Sequence, residues 1–187
     1  MILSNETYQI IITKDMDSPL QFISERSYDH VYNPQGYTEK NFHAAFVITI
    51  QTGQDKTCIA LIGSIYASPD QCAVLDGSNL TVLMDEEIVQ IDLQSMQIAK
   101  LQIVSDTTLF SIYPIDEGYI IHGEMEILRL DSNYMRIWDF WGSDIFVTQD
   151  RTHEAFKMEN NQILLEDWNG VRYALDMDGK LIWDTYK

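Results

Sequence analysis

Val171-Arg-Tyr-Ala-Leu-Asp-Met-Asp-Gly-Lys-Leu-Ile-Trp183 is the stretch that decides the fold. Tyr173 and Leu175 share one side of an extended chain and Ala174 looks to the other, because strand side chains alternate with period two. Asp176-Met-Asp178-Gly179 then reads as a turn. An aspartate carboxylate can accept hydrogen bonds from backbone amides just beyond it, and glycine tolerates the positive φ of a tight reversal. Leu181-Ile-Trp183 returns as a second strand.

The same pattern stands twice more upstream. Met125-Glu-Ile-Leu-Arg-Leu-Asp-Ser-Asn-Tyr-Met-Arg-Ile-Trp138 is a looser copy, and Ile88-Val-Gln-Ile-Asp92 begins a third that lacks the tryptophan. Asp92, Asp131 and Asp176 lie 39 and then 45 residues apart. Ile91, Leu130 and Leu175 precede them directly, with Val89, Leu128 and Tyr173 two residues further back. Six residues beyond each aspartate come Ile98, Ile137 and Ile182, followed by Ala99, Trp138 and Trp183. Apolar strands precede each pair at Leu80 to Leu83, Tyr119 to Ile121 and Ile163 to Leu165, so each unit is a meander of at least three strands. A period near 40 with alternating polarity belongs to propeller blades and excludes helical repeats. Trp138 and Trp183 are expected to pack between neighbouring sheets.

With strand, Ala-Leu-Asp, Gly-containing turn and aliphatic-Trp pair in place, the stretch from 171 to 183 resembles the quinoprotein-type β-propeller repeat, of the PQQ-like and WD40-like kind. The resemblance covers about residues 75 to 187. It implies an all-β fold: an incomplete or small β-propeller-like array of antiparallel meander blades. Closed propellers need four or more blades, so closure would recruit an N-terminal hairpin as a further blade. The quinone enzymes of the family carry an adjacent-cysteine pair that this chain lacks, so no cofactor is expected. An incomplete array leaves an uncovered edge or face; capping within the chain is the expectation, with a homodimer second.

The division expected is an N-terminal β-rich capping region, 1–70, and three meander repeats, 71–187, forming one unit. Tyr8 to Thr13 reads as a strand, and Ser18-Pro19 as the cap and first position of a short helix through Glu25. Ser27 to His43 has no period of either kind and reads as a long loop, a feature that often carries function. Ala44 to Ile50 and Thr57 to Ile62 form a hairpin, buried on both faces.

A net charge of −17 repels phosphate and anionic lipid and draws basic proteins toward the chain, so neither nucleic acid nor membrane is an expected partner. Met1 to Thr7 has no secretory pattern, and the longest apolar run, Cys58 to Ala67, is broken by Gly63 and Ser64. The expected location is cytoplasmic. Cys58 and Cys72 then read as buried reduced thiols, with a single bridge in an exported protein as the alternative.

No catalytic motif is legible. His30, His43, His122 and His153 have no metal-ligand spacing, so no metal is expected. Asp176-Met-Asp178-Gly179 resembles the opening of a calcium loop but lacks its later ligands. Asp150-Arg-Thr-His153-Glu154 gathers polar groups along a loop, which says little about a triad. The aromatics are more informative. Trp141 and Trp168 fall outside the repeat's core positions, and Tyr32 and Tyr37 lie in the N-terminal loop, so these four are the candidate binding residues. The expected function is non-catalytic: a protein-binding module with an acidic, aromatic surface, similar in size and charge to immunity proteins that neutralise basic toxins. The competing expectation is a small-ligand or carbohydrate-binding module, or a hydrolase, with a propeller-like site.

Overall fold

A computed structural model describes residues 1–15, 28–38, 40–41, 44–150 and 153–186. The described residues are all strand, turn and loop; the helix expected over Ser18 to Glu25 and the side chain of His43 lie outside them. No helix of the described residues is long and apolar enough to cross a membrane. The chain divides into two compact units, Met1–Ile103 and Val104–Lys187.

The first unit holds two sheets. Sheet 1 takes β1 (Ile2–Ser4), β2 (Gln9–Asp15), β3 (His30–Tyr32), β4 (Ala44–Thr52) and β5 (Asp55–Gly63) in the order β1-β2-β4-β5-β3. The expected hairpin is its centre, with Thr52 paired to Asp55 and Gly53 at φ +60 in the reversal. Part of the segment read as loop is strand: His30 to Tyr32 pair in parallel with Ile59 to Leu61. Three residues are too few to show a period, and the pairing is long-range, so local sequence carried no sign of it. Sheet 2 is the first repeat, β6 (Ala73–Asp76), β7 (Asn79–Met84), β8 (Glu87–Asp92) and β9 (Gln97–Ile103).

The second unit holds the other repeats. Sheet 3 runs β10 (Leu109–Ile115), β11 (Gly118–Gly123), β12 (Glu126–Leu130) and β13 (Arg136–Trp141); sheet 4 runs β14 (Phe156–Glu159), β15 (Gln162–Glu166), β16 (Arg172–Asp176) and β17 (Leu181–Asp184). Every repeat is thus a four-stranded antiparallel meander, the blade of a propeller-like, all-β chain. Burial follows strand order. β7 and β11 are buried along nearly their whole length, whereas β9 and β13 alternate and β17 is exposed throughout.

The recurring aspartates cap the turns as their chemistry requires. Asp131 Oδ1 accepts from the amides of Asn133 and Met135, both at 2.8 Å, and Asp176 Oδ1 accepts from Asp178 at 3.0 Å and Lys180 at 2.9 Å. Asp92 Oδ1 accepts from Gln94 at 3.0 Å. A register shift recurs one step before each aspartate, at Gln90/Ile91, Arg129/Leu130 and Ala174/Leu175. It leaves Ala99, Ile137 and Ile182 as the extra residues of three β-bulges. The first turn is one residue longer, with its positive φ at Met96, four residues past the aspartate, where Tyr134 and Gly179 stand three past theirs. The residue matching Trp138 and Trp183 is therefore Lys100, not Ala99: Gln90 faces Lys100 as Arg129 faces Trp138 and Ala174 faces Trp183.

Trp138 packs as expected. It joins the core made by Ile120, Ile127, Phe146, Ile163, Tyr173 and Leu175, and its Nε1 donates to the Met177 carbonyl at 3.3 Å. Trp183 does not: it is 45% exposed, because no further sheet of its unit lies beyond β17 among the described residues. Cys72 is buried and Cys58 only half-buried, and both are free thiols. Burial pushes the Cys72 thiol up to about 11, which makes it inert.

Candidate functional site

Two exposed indoles project from one end of the second unit. Trp141 ends β13, where alternation turns Trp138 and Phe140 toward the core and Ile137, Asp139 and Trp141 away from it. It is 44% exposed, and its Nε1 donates to Asp139 Oδ2 at 2.7 Å, which fixes the ring along the strand. Arg136 lies behind that carboxylate, with Nη1 3.7 Å from Asp139 Oδ1 and 3.7 Å from the fully buried Glu126. Ser105 donates its hydroxyl to Glu126 from the opposite side.

Trp168 sits at the tip of the β15–β16 turn, 42% exposed. That turn, Asp167-Trp-Asn-Gly170-Val171, repeats the construction of Asp176-Met-Asp-Gly179-Lys180. Asp167 Oδ1 accepts from Asn169 and Val171, both at 3.0 Å, and the Gly170 amide returns to the Asp167 carbonyl at 2.9 Å. Its other oxygen accepts from Ser143 Oγ at 2.5 Å and Tyr173 OH at 2.8 Å. The spacing Asp-x-x-Gly was therefore the available signal for a buried, fourfold-bonded aspartate that sequence reading passed over.

The loop after Trp141 ties the two indoles to one end of the unit. Ser143 bonds to Asp167, Asp144 Oδ2 accepts from Asn169 Nδ2 at 2.8 Å, and the Trp168 amide donates to the Ile145 carbonyl at 2.8 Å. Gln149 Nε2 donates to the Trp168 carbonyl at 2.7 Å. A depression of about 250 Å³ beside Trp168 is lined by Gln149, Asp150, Glu166, Asp167 and Asn169. The surroundings of both rings are rich in carboxylates: Asp139, Asp144, Asp150, Glu166 and Asp167.

Tyr32 and Tyr37 lie in the first unit and are held differently. The Tyr32 hydroxyl donates to the Met96 carbonyl, its ring stacks on His30 at 5.9 Å, and burial pushes its pKa up. Tyr37 is half-buried against Ala45, Ala60 and Ile62, and its amide donates to Asn33 Oδ1 at 2.8 Å. Tyr32 thus ties β3 to the β8–β9 turn, and Tyr37 covers Ala45, Ala60 and Ile62 of sheet 1.

The histidines divide by burial. His122 lies inside sheet 3, its ring 5.0 Å from Phe156 at an interplanar angle of 12° and edge-on to Phe110 at 5.4 Å. Its Nε2 is 3.1 Å from the Phe146 carbonyl, which requires the proton there, and Nδ1 faces Ser111 Oγ at 3.4 Å. Burial holds its pKa down at about 4, against the weaker opposing pull of the Phe146 carbonyl. His153 instead approaches Glu166 Oε2 with Nε2 at 3.1 Å and Asp150 with Nδ1 at 3.9 Å. Among the described residues no group of three or more His, Cys, Asp or Glu side chains could hold a metal ion.

No protein-family model matches the chain, and no curated protein matches it. Solved structures do. Hsv2 of Kluyveromyces marxianus aligns at 11% identity with a TM-score of 0.44, over 73% of this chain and 44% of that one. BamB of Moraxella catarrhalis aligns at 10% identity, also with a TM-score of 0.44, over 76% of this chain and 47% of that one. Both are β-propellers, and this chain spans less than half the length of either.

Proposed function

We propose that the chain is a non-catalytic protein-binding module that holds a basic protein against the indole-bearing end of its second unit, in the manner of an immunity protein neutralising a cationic toxin. The observation that carries this reading is the pair Trp141 and Trp168, large apolar rings left exposed amid carboxylates, the first held by its Nε1 bond to Asp139 and the second carried on a turn whose backbone is bonded to Ile145 and Gln149. A ring already held, as that of Trp141 is, loses little entropy on binding, and indoles are among the strongest anchors of protein interfaces. Carboxylates around them favour a lysine- or arginine-rich partner, and the charge of −17 speeds its approach. We read the repeats themselves as quinoprotein-type, on the strength of the Asp-capped turn, the bulge and the aliphatic-Trp pair, with no quinone.

The test is capture of partners from native lysate at low salt by the wild type and by the double variant Trp141→Ala/Trp168→Ala. A basic protein retained by the first and lost from the second supports the reading. Retention of none, or of the same protein by both, counts against it.

A further inference from the structure

The last sheet carries a face that its own repeat does not explain. In sheet 3, the cross-strand row Tyr113, Ile120, Arg129, Trp138 faces sheet 4, and the next row carries His122, Ile127 and Phe140. The register of sheet 4 puts Lys157, Leu164, Ala174 and Trp183 in the first of these rows and Glu166 and Arg172 in the second. Tyr113 has become Lys157, Ile115 has become Glu159, His122 has become Glu166 and Ile127 has become Arg172. These charges make the face polar, unlike its counterpart in sheet 3.

Solvation accounts for the charges but not for Trp183, which this face keeps at 45% exposure. Nor does it account for the shape. The face is a groove of about 530 Å³, with Trp183 and Leu164 as apolar surface and His153, Lys157, Glu166 and Arg172 around them. That volume suits a ligand of one or two rings. Most of the charged groups are paired with one another: Arg172 Nε donates to Glu166 Oε2 at 2.7 Å, His153 Nε2 lies 3.1 Å from the same oxygen, and Lys157 pairs with Glu159, while Glu154 also lines the groove. Burial works to raise the Glu166 carboxyl, but the hydrogen bonds from Arg172 and His153 outweigh it and hold it below the usual range.

We propose that this groove binds a neutral carbohydrate, one sugar ring lying on the face of Trp183 and its hydroxyls bridging the Glu166–Arg172 pair. A cation or an anion that takes Glu166 or Arg172 as its partner must break their ion pair and leave one member unmatched. A hydroxyl breaks nothing, because it donates to the carboxylate and accepts from the guanidinium at once. The indole face complements the C–H face of a pyranose, an apolar surface that lies flat between polar edges. The groove shares Glu166 with the depression beside Trp168, but its indole is Trp183, so the Trp183→Ala variant tests it independently of the Trp141 and Trp168 surface.

The experiment titrates the full chain with maltose, cellobiose, lactose and diacetylchitobiose, followed by saturation-transfer NMR and calorimetry. At least one should bind, with an affinity that does not change between low and high salt. Trp183→Ala should weaken that binding by about tenfold or more, a loss of about 1.4 kcal/mol. Arg172→Gln should weaken it as well, and its side chain is exposed enough that the variant folds. Binding of none of the four, or equal binding by wild type and Trp183→Ala, overturns the proposal. So does binding that weakens steeply with salt, since that marks an ionic ligand.

Discussion

His122 makes the stability of the second unit depend on pH in a window bounded by two titration points. An unfolded imidazole titrates near 6.5, whereas the folded one is held at about 4 by its aromatic box, against the pull of the Phe146 carbonyl. The folded state therefore binds its proton later than the unfolded state as pH falls. Above about 6.5 both states are neutral and the group contributes nothing to the pH dependence. Between 6.5 and 4 the unfolded state gains protons that the folded state refuses, so stability falls, and the loss is complete below about 4. At about 1.36 kcal/mol for each pH unit that separates the two titration points, the full loss is about 3 kcal/mol.

Measurement has to stay above the isoelectric point, near 4.3, where so acidic a chain loses its solubility. At about pH 5.2 the linkage still amounts to about 2 kcal/mol relative to about pH 7.5. Urea unfolding followed by tryptophan fluorescence should show it as a difference of differences. His122→Gln is destabilised at about pH 7.5, and its deficit relative to wild type should shrink by about 2 kcal/mol at about pH 5.2, since the variant has no imidazole to protonate. Carboxylate titration is common to both proteins and cancels. Parallel pH dependences, or a ring that titrates near its ordinary value by NMR, would refute the argument.

Gly179→Ala should cost about 2–3 kcal/mol, because φ there is +78 and a Cβ would lie 2.5 Å from Trp138 Cδ2. Gly170→Ala, at φ +76 with nothing within 4 Å, should cost only about 1 kcal/mol, so the gap between the two in chemical denaturation reports the ring contact. Asp167→Ala removes four hydrogen bonds from a side chain in a buried residue and should cost about 3 kcal/mol, read as a lower melting temperature.

Repeat units were legible because two local signals coincide in each: period-two burial before the aspartate, and a turn whose chemistry the aspartate dictates. Val89, Leu128 and Tyr173 are buried as that pattern requires. Signals that depend on distant chain were not legible. Nothing in His30-Val-Tyr32 announces parallel pairing with β5, and nothing near His122 announces that Phe110, Phe146 and Phe156 surround it. The candidate anchors split along the same line. Trp141 and Trp168 project because a strand end and a turn tip hold them, both local facts. Tyr32 and Tyr37 are drawn down by Met96 and by the Ala45, Ala60 and Ile62 cluster, contacts set by tertiary structure.

Trp183 shows how a repeat can mislead. Its sequence context is a better copy of the blade motif than that of Trp138, and the motif predicts packing for both. Motif quality measures the strand and turn that carry the residue; burial depends on what stands opposite. For Trp138 that is the turn holding Met177 and Gly179, which the next repeat supplies. For Trp183 the positions around it have changed to Lys157, Glu166 and Arg172, and those changes were readable one strand at a time but not as a face until the register was known. A tryptophan that stands among Lys157, Glu166 and Arg172, with only Ala174 and Leu164 as apolar neighbours in its row, is under a different constraint from one kept in a core. That difference leads from the geometry of sheet 4 to a ligand.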